Sequence, residues 1–164
     1  MNAALAYTIG VCAIAVALES LFAGRGIQQR LADIRLPRFA PPLWGWFVIG
    51  AGYYLICSVV LYRLLSLPVS VGLRQWALVL VGAILFVNAL WNLFFFRTQN
   101  LFHAFVVGLL YVGLALILLG VLWHVDRSAA WSFLPYTVYL AYASWFGYRV
   151  WKFNPSPVPE ERSR

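Results

Sequence analysis

The chain has 164 residues, of which 63% are hydrophobic and 10% charged, with a mean hydropathy of +0.82. A soluble domain presents roughly 25% charged residues to water. Too few are available here to coat such a surface, so lipid must solvate most of it. The net charge of +7, from 12 Lys and Arg against 5 Asp and Glu, forms no stripe of the kind that neutralises nucleic-acid phosphates. The cations fall between apolar stretches, as at helix ends beside a membrane, and a nucleic-acid partner is not expected.

Five apolar stretches follow in chain order, about 3–23, 43–62, 75–96, 103–124 and 129–151. Each has the roughly 20 residues that a helix needs to cross the hydrocarbon of a bilayer. The first lacks a basic leading segment and is longer than the apolar run of a signal peptide, so it reads as a span. The connection over 24–42 is the long one, with Gly24, Arg25, Gly26, Arg30, Asp33, Arg35, Pro37 and Arg38. Pro41 and Pro42 then open the second span, where first-turn N–H groups lack intrahelical partners anyway. Pro68 punctuates the next connection. A tail over 155–164, with Pro155, Pro157, Pro159 and mixed charges, reads as disordered.

The expectation is an all-α integral membrane protein, a five-transmembrane-helix bundle occupying residues 1–154 as one domain. Nine cations (Arg25, Arg30, Arg35, Arg38, Arg97, Arg149, Lys152, Arg162 and Arg164) fall on one side of such a bundle and three (Arg63, Arg74 and Arg127) on the other. The richer side is cytoplasmic, which puts the N-terminus outside and the C-terminus inside.

No charged residue falls at the middle of a span: Glu19 is placed about one turn from the end of the first and Arg63 at the end of the second. That weighs against a pump or proton relay, which needs ionisable groups at depth. His103 and His124 fall at opposite ends of the fourth span, an arrangement unsuited to holding a haem between helices. Cys12 and Cys57, inside apolar runs with no CxxC and no adjacent His, read as small buried hydrophobes.

Neutral polar and aromatic residues recur at helical spacing instead. Asn88, Trp91, Asn92 and Phe95 share one face of the third span; Tyr136, Tyr139, Ala143 and Gly147 share one of the fifth; Trp46, Gly50, Tyr53, Tyr54 and Cys57 share one of the second. Such residues also bond neighbouring helices, at about 0.6–2 kcal/mol per contact, and Trp44, Trp123, Trp131 and Trp151 fit an interfacial belt. Three polar-aromatic faces at similar depth nevertheless point to a pocket for a planar apolar molecule.

These residues resemble a known family. Pro41-Pro42-Leu43-Trp44, followed ten residues later by Tyr54, resembles the PPxW…LY segment of the TspO/MBR (translocator protein, tryptophan-rich sensory protein) family. Asn88-Ala89-Leu90-Trp91-Asn92-Leu93-Phe94-Phe95-Phe96 is similar to its NxxWxxxFF signature. Leu134-Pro135-Tyr136 through Ala143, then Trp151-Lys152-Phe153-Asn154, is similar to its fifth-helix pattern. The chain departs from the family where a Pro-Val-Trp is usual, having Phe47, Val48, Ile49 and Gly50. Ile84 replaces a common Gln, Tyr139 a Trp and Gly147 an Asn. Tyr148 and Lys152 match two elements of a sterol-recognition pattern, but no Leu or Val lies within five residues before Tyr148, so sterol binding is not expected.

The resemblance implies a membrane protein that binds tetrapyrroles, porphyrins or similar flat hydrophobic ligands in a cavity within the bundle, with a sensory, regulatory or transport role. It implies a cavity reached from the side of the first connection and walled by Trp44, Tyr54, Asn88, Trp91, Tyr136, Tyr139 and Ala143. Arg35 and Arg38 would stand at its mouth to pair with porphyrin propionates. No cofactor is required, a porphyrin or haem-like molecule being a ligand, and a homodimer is consistent with the family. One alternative is a regulatory or structural subunit of a larger membrane assembly. Another is a porphyrin-degrading enzyme, for which no nucleophile–base pair, metal cluster or carboxylate pair is evident.

Overall fold

The computed structural model describes residues 3–68 and 72–155. Six α-helices make up most of them: α1 Ala3–Ala23, α2 Ile27–Asp33, α3 Leu43–Ser66, α4 Gly72–Asn92, α5 Leu101–Val125 and α6 Arg127–Phe153. A π-helical turn, Leu93–Arg97, prolongs α4. No strand occurs among the described residues. Of the tail expected to be disordered, residues 156–164 lie outside the described ones.

α1, α3, α5 and the run from Gly72 to Arg97 are each long and apolar enough to cross a membrane. α6 has 27 residues but does not meet that measure, because Tyr, Trp and Ser side chains take the place of aliphatic ones along much of its length. The helices also outrun the apolar stretches that mark them: α3 continues through Arg63 to Ser66. Hydropathy locates where hydrocarbon is tolerated, whereas the backbone ladder continues until a cap or a turn stops it.

The connection after α1 folds around two left-handed glycines, Gly24 at φ 72° and Gly26 at φ 81°, a conformation that costs glycine least. Between them the chain leaves α1 and starts α2, a seven-residue helix that the sequence reading did not anticipate. Pro42 caps α3, its carbonyl accepting from the N–H groups of Gly45 (2.8 Å) and Trp46 (3.3 Å). A Cβ at Gly45 would lie 3.1 Å from Pro41 Cβ, so this tight entry requires the missing side chain. Asn154, just beyond α6, holds the connection from the far side, bonding both the N–H (2.8 Å) and the carbonyl (2.9 Å) of Arg35.

The five long helices close a ring: α1 packs on α3 and α4, α4 on α5, α5 on α6, and α6 on α3. Two cores fill its ends. Leu64, Val81, Ile84, Leu118, Leu122 and Phe133 pack one, and Ala23, Phe95, Phe96, Ala104, Phe146 and Val150 the other. Outward-facing side chains such as Tyr7, Leu55, Leu110 and Val138 are exposed and apolar, the inverse of a soluble bundle.

One residue, Asp126, joins α5 to α6. Its N–H donates to Leu122 O (2.8 Å), and its Oδ1 caps α6 by accepting from Ser128 N (2.9 Å) and Ala129 N (3.2 Å). Arg63 of α3 grips both carboxylate oxygens, Nε to Oδ2 at 2.7 Å and Nη2 to Oδ1 at 3.0 Å, in the bidentate geometry that suits guanidinium. Burial alone would raise the Asp126 carboxyl, but Arg63 and the amides of Ala129 and Ser128 outweigh it and hold the group below its ordinary value. The stability this contributes is present above the unfolded carboxyl value of about 3.9 and is lost as pH falls through the lower folded value. Replacing Asp126 with Ala is expected to cost about 1–2 kcal/mol at neutral pH and to remove part of the acid-induced loss of stability below about pH 4. Unfolding in detergent followed by circular dichroism between pH 7 and 3 checks this. An acid limb unchanged in the variant would count against the clamp.

Candidate functional site

Between the two cores lies a cavity of about 440 Å³, to which all six helices contribute lining. This is within the roughly 300–1,000 Å³ range of small-molecule sites. Its walls combine aromatic and aliphatic side chains. Trp46 of α3 and Trp91 of α4 stack at 6.5 Å, Trp91 lies on Phe95 at 4.6 Å, and Phe146 of α6 meets Trp46 edge-on at 5.3 Å. On the other flank Tyr53 sits 5.0 Å from Tyr136, which is 5.8 Å from Tyr139. The hydroxyls of Tyr111 and Tyr136 bond each other at 2.9 Å, both residues being buried. Gly50, Gly108, Ala143 and Gly147 also line the space, and a Cβ at Gly50 would meet nothing within 4 Å.

The polar end of the cavity is built around Glu19. Its Oε2 accepts from the hydroxyl of Tyr54 (2.6 Å) and from Asn88 Nδ2 (3.1 Å), and its Oε1 accepts from Asn92 Nδ2 (3.1 Å). Asn92 also donates to the Asn88 carbonyl at 3.0 Å. A carboxylate on α1 is therefore held by donors from α3 and α4, satisfying the requirement that a charge away from water be paired or hydrogen-bonded. The indole N–H of Trp46 is the opposite case, a buried donor with no partner.

The first connection covers one end. Ile27 and Leu31 of α2 form part of the wall. Arg30 Nη1 donates to the Phe96 carbonyl, Gln99 Nε2 to the Arg30 carbonyl (3.3 Å) and Tyr142 Oη to the Phe39 carbonyl (2.7 Å). α2 thus borders the cavity on the side from which it was expected to open.

Six of the seven residues expected at the wall are there: Tyr54, Asn88, Trp91, Tyr136, Tyr139 and Ala143. Trp44 is not; it is 68% exposed on the outside of α3, and Trp46 takes the inward position two residues on. Arg35 and Arg38, expected at the mouth, are exposed and line no part of the cavity, nor do His103 and His124. Glu19 was read only as a residue near a helix end. It is indeed one turn before Ala23, but it faces inward, and a carboxylate within an otherwise apolar span was the signal that marked it.

The TspO/MBR family profile matches residues 8–152, nearly the whole ring. The chain belongs to the TspO/MBR family. Protein CrtK of Rhodobacter capsulatus is similar to it, 28% identical over 154 residues that cover 90% of this chain and 91% of the relative. Of the departures from the family pattern, Phe47, Ile49, Gly50, Tyr139 and Gly147 line the cavity, whereas Ile84 is packed in the core and Val48 is exposed. In the stretch where the family carries Pro-Val-Trp, Gly50 leaves the wall open, and Trp46, one turn earlier, supplies an indole to the same face.

The buried tyrosine pair gives a test of how this wall is held. Tyr111→Phe and Tyr136→Phe are each expected to lower stability, with a coupling of about 0.5–1.5 kcal/mol in a double-mutant cycle. Strictly additive losses in detergent unfolding would show that the two hydroxyls do not depend on each other.

Proposed function

We propose that this TspO/MBR-family protein spans the membrane five times, α6 included, and binds flat hydrophobic ligands of the tetrapyrrole class in its central cavity as part of a sensory, regulatory or transport role. The single observation that carries the reading is a cavity between two packed cores whose walls carry stacked indoles and phenols, with a carboxylate and two amides gathered at one end. Aromatic faces accept a planar ring with little desolvation cost, while a few fixed polar groups orient it. Trp91 and Trp46 would lie against the ring face, Tyr136 and Tyr139 against its other side or edge, and Asn88 and Tyr54 at the polar end. α6 closes the ring between α3 and α5. A 27-residue helix in that position is long enough to cross with its polar and aromatic face turned inward. The cation distribution then puts the N-terminus outside and the C-terminus inside.

Protoporphyrin added to the detergent-purified protein is expected to quench tryptophan fluorescence saturably. An Asn88→Ala, Tyr139→Ala double variant should weaken binding by tenfold or more, about 1.4 kcal/mol. Equal and unsaturable quenching in both proteins would mean partition into the micelle and would reject the pocket.

A further inference from the structure

Among the described residues, Glu19 is the one acidic side chain lining the cavity, and no Arg, Lys or His lines it. Nothing in the wall therefore neutralises the carboxylate by charge; three neutral donors hold it instead. A carboxylate offers about four acceptor sites, so these three bonds fix its orientation and leave acceptor capacity on the cavity side. Among low-dielectric walls such a group attracts a positive or N–H-bearing partner far more strongly than it would in water, and it opposes an anion. The nearby indoles reinforce that preference, since the face of Trp is the best of the aromatic surfaces for a cation.

From this we propose that Glu19 is the recognition group of the cavity. It selects flat aromatic molecules that present a protonated nitrogen or an N–H donor to the carboxylate. The proposal rests on the cavity being a site for flat ligands and specifies their chemistry: an N–H donor face rather than an anionic one. It assigns Glu19 a role that a merely structural bond to α3 and α4 would not have, namely discrimination between ligands of the same shape but different charge.

The experiment uses the full chain in phosphatidylcholine nanodiscs, with empty nanodiscs as the blank for partition. Two planar three-ring probes are compared at neutral pH: 9-aminoacridine, which is protonated, and acridine, which is not. The wild type is expected to bind the cation about tenfold more tightly than the neutral ring or better, and Glu19→Gln to abolish that preference. A wild-type preference below that level, or one that survives in Glu19→Gln, overturns the assignment. The wild-type comparison needs no variant, so it decides the matter even where Glu19→Gln fails to fold. Saturable protoporphyrin binding without a cation preference removes the role of Glu19 alone. Absence of saturable binding by all three probes removes the flat-ligand site with it.

Discussion

Helices packed side by side in a ring of five do not fill their own centre. Cylinders about 10 Å across leave an axial gap of about 7 Å when five of them touch in a closed circle, and side chains must decide what becomes of it. At the two ends large side chains fill it, Leu64, Leu118, Leu122 and Phe133 at one and Phe95, Phe96 and Phe146 at the other. In the middle, Gly50, Gly108, Ala143 and Gly147 withhold the volume that would close it. The cavity is therefore a product of residue size on a fixed geometry. Its aromatic lining follows from the same constraint, because flat side chains can wall a gap without occupying its axis.

Much of this was legible in the sequence, and what was not has physical reasons. The long apolar runs announced the helices, since backbone groups in hydrocarbon must be satisfied within the segment. α6 read as an equal of the others, but its aromatic and hydroxyl side chains make it the least apolar of the five. α2 was invisible because seven residues carry too little periodicity to stand out. The π turn over Leu93–Arg97 has no compositional mark; it is recorded by Thr98 N reaching Leu93 O at 2.9 Å. In the cavity, Asn88 and Trp91 were legible because spacing of three and four residues puts side chains on one face. Spacing does not say which face looks inward. Trp44 and Trp46 stand about 200° apart around the helix axis, and only packing distinguishes them: Trp46 meets Trp91, Phe95 and Phe146, while Trp44 faces outward. For Glu19 the position along the helix was plain and the direction was not.

The family pattern and this chain's departures from it fit together once the wall is assembled. Trp46 and Gly50 are four residues apart on one face of α3, so an indole stands one turn from the open position. Tyr139, standing where a Trp is usual, continues a line of phenols from Tyr53 through Tyr136 to Tyr142. The result is a wall with more hydroxyls on the α6 side and indoles on the α3–α4 side, which gives the cavity two chemically distinct flanks.

α1 is the least embedded member of the ring, with only Thr8, Ala15 and Ala23 buried among its 21 residues. By contrast, α3, α5 and α6 are tied together at one end by the Arg63–Asp126 clamp. The bonds from Tyr54, Asn88 and Asn92 to Glu19 are thus also the latch of the loosest stave in the barrel. A guest that draws on the same carboxylate shares the latch with the wall, so filling the cavity and seating the first helix become two sides of one balance.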